Sequence, residues 1–174
     1  MEFPKKNLET LWAPWRVEYF QRDHQSNHDF LLEAAHSSDD AAHLVVTRRK
    51  NAFLILNKYP YTTGHLMAVP YRKTAEMSDL SEEEALDLWN LAIHAQRLLK
   101  AVVHAHGFNL GLNLGAAGGA GTDDHLHLHI VPRWENDQNF MPLLAGVRII
   151  PNGLEQLYQE LLHYQEKGLS IFSS

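Results

Sequence analysis

The chain has 174 residues, a formal charge of −6, 12 histidines and no cysteine. At 45% hydrophobic it can bury the core of one domain without covalent staples. The missing thiols exclude a disulfide scaffold, a cysteine-ligated zinc finger, an iron–sulfur cluster and a thiol nucleophile, and the acidic balance argues against capture of nucleic acid or an anionic membrane.

The segment LETLWAPWRVEYF brings Trp12, Trp15, Tyr19 and Phe20 close together. It reads as an aromatic arm over about residues 1–22 that covers a core or a partner subunit. No apolar signal-peptide core precedes it, and no run approaches the roughly 18 apolar residues of a membrane span. A cytoplasmic location is therefore expected. Residues 23–42 read as a polar loop with a short helical turn near Leu31 to Ala35. His24, His28 and His36 in this loop read as solvated side chains.

HLVVTRR and AFLILN are short, apolar and β-branched, which predicts two strands joined by a turn at Lys50 and Asn51. HLMAVP is a third strand, closed by Pro70. Ser81 stands three residues before Glu84, the spacing of a capping box. Leu88, Leu91, Ala92, Ala95, Leu98, Leu99 and Val102 then form a helical stripe expected to run to near Gly107, with His94 and His104 on the helix. FNLGLNLG predicts a fourth strand, and HLHLHIVPRW a fifth that ends at Pro132. After a short VRII segment, GLEQLYQELLHYQEK is a terminal helix with Leu154, Leu157, Leu161 and Leu162 on one face. The sum is one α+β domain with a mainly antiparallel sheet of about five strands, a long central helix and a C-terminal helix.

His125, His127 and His129 alternate with Leu126, Leu128 and Ile130. Strand alternation puts the imidazoles on one face and the aliphatic residues on the other. Three neighbouring imidazoles cannot all be comfortably protonated, so at least one is expected neutral near pH 7, as a nucleophile or a metal ligand. The triplet alone leaves zinc or another transition metal open. The preceding GAAGGAGTDD supplies unhindered backbone N–H groups that could wrap an anion. It is neither a P-loop nor a dinucleotide fingerprint. Glycine loop and histidine strand together point to phosphate chemistry at a histidine. Phe53 and Trp134 could each pack against a base. Core packing explains Phe53 equally well, and Trp134 and Phe140 can instead pack at the exit of the site or at a subunit contact. Lys58, Arg72, Lys73 and Arg133 are candidate cations for a polyphosphate.

HLHLHIV resembles the signature of the histidine triad (HIT) nucleotide hydrolases and transferases. LWAPWRVEY, ILNKYPYTTGHLMAVPYR, GFNLGLNLG and HLHLHIVPRWENDQNF resemble successive blocks of bacterial members akin to diadenosine tetraphosphate phosphorylases. The resemblance implies the HIT-like fold and cleavage of a dinucleoside polyphosphate, with adenine nucleotides as substrates. His127 would be the nucleophile at the α-phosphate, His129 would stabilise the phosphate or leaving oxygen, and His125 would support from behind. His65 would join them from another strand. Asn57 would bind ribose hydroxyls, Asn113 the phosphate region, and Gly121 and Thr122 the α-phosphate. Without the resemblance, Asn57 reads as a turn residue, Asn113 as a strand cap and His65 as a buried hydrogen-bonded histidine.

The resemblance also implies a homodimer, for which Trp12, Trp15 and Trp89 are candidate anchors, although core packing explains them equally well. It requires no cofactor beyond a divalent cation that can accompany the substrate. Many relatives hold a structural zinc with a Cys-x-x-Cys pair, a histidine after the third strand and the first triad histidine. This chain lacks the cysteines and has Lys73 after PYR, so no structural zinc and no metal ligands are expected. Where phosphorylase-type members place Gly-Ser, it has Ala120-Gly121, so phosphorolysis and hydrolysis both stay open. The rival functions are a nucleoside phosphoramidase of the same superfamily, a non-catalytic nucleotide sensor and a metal-binding protein.

Overall fold

The computed structural model describes residues 29–118, 125–135, 137 and 153–167. The aromatic arm, Gly121, Thr122, Phe140 and the VRII segment lie outside them. So do His24, His28, Trp12 and Trp15.

Helix α1, Phe30–His36, starts where the Asp29 side chain accepts from Leu32 N at 3.0 Å. Helix α2, Asp40–His43, is capped by Asp39 and ends at Leu44, whose φ of 59° closes it in a left-handed turn. Thus the expected polar loop carries two capped helices in its second half. Short acidic caps, rather than an apolar stripe, start both.

Strands β1, Val45–Arg48, β2, Ala52–Leu56, and β3, Leu66–Pro70, form an antiparallel meander. Helix α3, Glu82–Val102, crosses over to β4, Gly107–Leu112. β5, Leu128–Arg133, returns between β3 and β4, so the sheet order is β1-β2-β3-β5-β4 with every neighbouring pair antiparallel. Helix α4, Leu154–Glu166, closes the described fold.

Alternation divides the sheet cleanly. Leu54, Leu56, Leu66, Ala68, Leu128 and Ile130 face one way, into a core shared with Leu91, Leu98 and Leu99 of α3 and Leu157 and Leu161 of α4. Each buried leucine contributes on the order of 2 kcal/mol of transfer free energy. Phe53, Ile55, Met67 and Val69 face the other way, under Leu31 and Ala34 of α1. The capping box is present in full: Ser81 Oγ accepts from Glu84 N, and the Glu84 carboxylate accepts from Ser81 N. Arg72 grips that carboxylate with two hydrogen bonds and holds it down to about 2.

Helix α3 stops at Val102, short of the expected Gly107, because His104 takes a φ of 52° that no α-helix continues. His104 is therefore exposed beyond the helix. His94 is buried and donates from Nε2 to Gln165 Oε1 of α4 at 2.6 Å. β5 begins at Leu128, later than expected, and runs through Pro132 to Arg133. His125 and His127 thus precede the paired strand instead of lying in it.

Candidate active site

Three histidine rings, His65, His127 and His129, meet where β3 and β5 run side by side. Met67 pairs with His129, which turns the His129 ring to the face opposite α3. His65 stands just before β3, after Gly64. That glycine has a φ of +78°, and a Cβ there would lie 2.8 Å from Leu99 Cδ2. A side chain at position 64 would therefore be strained and would push into α3.

The hydrogen bonds fix the tautomers of one histidine pair. Tyr61 N–H donates to His65 Nδ1 at 3.1 Å, so that nitrogen is an acceptor. His65 Nε2 therefore carries the hydrogen and donates to His129 Nδ1 at 2.9 Å. His129 in turn carries its hydrogen on Nε2. Asn57 completes the chain: its Oδ1 accepts from Tyr59 N at 2.8 Å, which orients Nδ2 toward His65 Nδ1 at 3.2 Å. The Tyr61 ring stacks on His65 with centroids 4.7 Å apart. His65 is fully buried, and Asn57 and His129 nearly so.

His127 is fixed differently. Its Nδ1 donates to the carbonyl of His125 at 2.8 Å, which leaves the lone pair on Nε2. Burial lowers its pKa, against the opposing pull of that backbone hydrogen bond, so the ring is neutral at neutral pH. The rings of His127 and His129 meet edge to face, with centroids 4.7 Å apart. A lone pair on one ring and an N–H on the other thus sit side by side. That combination can attack a phosphorus atom and donate to one of its oxygens.

His125 faces elsewhere. Its ring is buried, and Nε2 donates to the carbonyl of Pro70 at 2.9 Å. Its other ring nitrogen, Nδ1, lies 4.0 Å from Asp29 Oδ1. Asn113, at the end of β4, places its amide 3.4 Å from His129 Nε2. Since that nitrogen carries a hydrogen, the amide suits it only with Oδ1 turned inward.

Two aromatic expectations need correction. Phe53 is on the histidine face but fully buried beneath α1 and Tyr71, so no ring face is left for a base. Trp134 shares the parity of Leu128 and Ile130; it packs on the opposite face and donates from Nε1 to Val103 O at 3.0 Å. Of the proposed cations, Arg72 is bound to Glu84, Lys73 to Asp29 and Arg133 to Asp137. Lys58 is exposed in the loop after β2. Tyr61 and Asp29 are the residues that sequence reasoning missed. Asp29 had a signal, as an acidic cap before LLEAA; Tyr61 acts largely through its backbone N–H, which any residue has.

Residues 39–136 match the family model of the HIT domain. Over 155 residues the chain is 41% identical to the AP-4-A phosphorylase of Mycobacterium tuberculosis (strain CDC 1551 / Oshkosh), covering 84% of this chain and 79% of the relative. It is 31% identical over 93 residues to the asymmetrical bis(5'-nucleosyl)-tetraphosphatase of Schizosaccharomyces pombe, covering 53% of this chain and 50% of that protein. Among solved structures, a zinc-bound histidine triad family protein from Mycobacterium smegmatis superposes with a TM-score of 0.59 at 24% identity, over 71% of this chain and 84% of that one. That likeness establishes the shared fold.

Proposed function

The chain belongs to the HIT domain family, and from that premise we propose that it cleaves dinucleoside polyphosphates at the α-phosphate through a covalent nucleotidyl-His127. The observation that carries this reading is the paired tautomers: a bare Nε2 on His127 beside an N–H on His129. In the first step the Nε2 lone pair forms a P–N bond. The P–O bond to the departing polyphosphate breaks, and its oxygen leaves with the electron pair and takes a proton from solvent. In the second step water or inorganic phosphate forms a new P–O bond, and Nε2 recovers its pair. Splitting the displacement replaces one difficult step with two easier ones.

His129 acts here as a hydrogen-bond donor to a phosphoryl oxygen. It is not the proton source, because its Nδ1 already accepts from His65 and loss of the remaining hydrogen would leave an imidazolate. Asn57 keeps one amide hydrogen and one lone pair beyond its internal bonds, enough for ribose hydroxyls. Asn113, Gly121 and Thr122 complete the phosphate site in this reading. The name of the mycobacterial relative supports diadenosine tetraphosphate as substrate. A cytoplasmic location is part of the same reading. No described helix is long and apolar enough to cross a membrane.

A homodimer is part of the same reading. Leu86, Trp89 and Ile93 are 61%, 57% and 48% exposed along one side of α3, and β4 is an edge strand. Trp89 is thus no core residue. Light scattering should give a dimer; a monomer at working concentration ends the idea.

The test of function is product analysis with diadenosine tetraphosphate. ADP formed only with phosphate identifies phosphorolysis, and ATP plus AMP in water identifies asymmetric hydrolysis. His127→Ala and His127→Asn should be inert in both. Near-normal turnover by either variant contradicts the reading.

A further inference from the structure

We propose that Lys73 and Asp29 are positioning residues for the nucleophile, with the Lys73 ammonium, rather than a divalent metal, holding the carboxylate that faces His125. The inference rests on His127 as nucleophile. Lys73 Nζ lies 2.7 Å from Asp29 Oδ2, and Asp29 Oδ1 lies 4.0 Å from His125 Nδ1. The His125 side chain is fully buried, and that of Asp29 is 16% exposed. In the neutral ring, with Nε2 donating to Pro70 O, His125 Nδ1 carries a lone pair, and among the described residues that atom has no hydrogen-bond partner.

Two electron-rich groups therefore face each other across a buried gap. The ammonium balances the carboxylate. Burial alone would raise the Asp29 carboxyl, yet the hydrogen bonds from Lys73 and Leu32 N–H and the Lys73 charge hold it below its usual range.

The same stretch of chain is tied at two further points. Leu126 N–H donates to Thr74 O at 2.7 Å, and His125 Nε2–H to Pro70 O. Residues 70–74 and the capping end of α1 thus clamp the segment that precedes β5. The carbonyl of His125 belongs to that segment and sets the His127 tautomer. Loss of Lys73 leaves a carboxylate opposite an unpaired lone pair. The segment can relieve the contact by shifting, and the carbonyl then moves with it.

Zinc does not fit this cluster. It would have to displace Lys73 from Asp29. Among the described residues, no three histidine, aspartate or glutamate groups converge to hold a metal.

The test uses Lys73→Met, Asp29→Asn and Lys73→Arg in the full chain. Long-range proton–nitrogen NMR of the imidazoles, kcat and KM with diadenosine tetraphosphate, and metal content of chelator-free protein are read together. Lys73→Met should lower kcat about tenfold with KM unchanged. It should also replace the single His127 tautomer signature with a mixture. Lys73→Arg should restore both, and the wild-type protein should hold no stoichiometric zinc. Asp29→Asn should reproduce the tautomer change, and it serves as the test if Lys73→Met does not fold. Wild-type kcat in Lys73→Met, a rate loss with the tautomer unchanged, or stoichiometric zinc overturns the proposal. The tautomer readout needs no substrate. If the wild-type protein turns nothing over, the functional reading fails while this clamp is still tested.

Discussion

The His65–His129 pair and the His125–His127 pair stand side by side but are held by opposite means. In the first, ring donates to ring, and the direction is set by one backbone N–H at Tyr61. In the second, ring donates to backbone, from His127 to the carbonyl of His125. The reason is the place of each in the sheet. His129 is inside β5, where it faces both Met67 and Gly111, so only its side chain is available for the site. Residues 125–127 precede the strand, and their carbonyl groups are not spent on the ladder. Delaying the start of β5 by three residues thus frees the acceptor that leaves the lone pair on His127 Nε2.

This contrast can be broken piece by piece. The largest effect should come from His127→Ala, which removes the attacking nitrogen; kcat should fall at least about a thousandfold while His65 and His129 stay paired. His65→Ala removes the donor that sets the His129 tautomer. Steady-state kinetics should show a loss of about tenfold to a hundredfold, with covalent chemistry retained. A loss equal to that of His127→Ala would mean that the two pairs act as one unit.

In the proposed reading Asn57→Ala reaches the reaction through His65 and the ribose. It should raise KM and reduce kcat by only a fewfold, on the order of one neutral hydrogen bond, about 1 kcal/mol.

The smallest effect is on pH dependence. Burial lowers the His127 pKa from its ordinary 6.5, so the acid limb of kcat/KM should have its midpoint below 6.5. The sign is fixed: the lone pair is free above that midpoint and lost as pH falls through it. Because the unfolded chain takes up that proton more readily, stability also drops in the same window. A limb centred above 6.5 would contradict the neutral, buried ring.

Much of this was legible before any coordinates. The alternation of HLHLHI with aliphatic residues determined which side chains face α3, and the same parity would have excluded Trp134 from the site. The capping box and leucine stripe located α3 because both are local. Its end was misread, since nothing in VVHAHG marks His104 as the residue that turns left-handed. Phe53 was ambiguous because parity gives the face but not what covers it; α1 does. The roles of Asn57 and His65 required a contact between segments separated by a loop, and on residues alone they were indistinguishable from turn and core residues. The Lys73–Asp29–His125 cluster joins three distant segments, and no periodicity announces it.

The central claim is a P–N bond at one named atom. The most direct measurement mixes the protein with diadenosine tetraphosphate, quenches in base to preserve a phosphoramidate, and maps the modified peptide by mass spectrometry. The account predicts one adenylyl group on His127 at Nε2, absent from His127→Asn. An adduct on His65, His125 or His129 would contradict it, as would wild-type turnover with no adduct at any quench time.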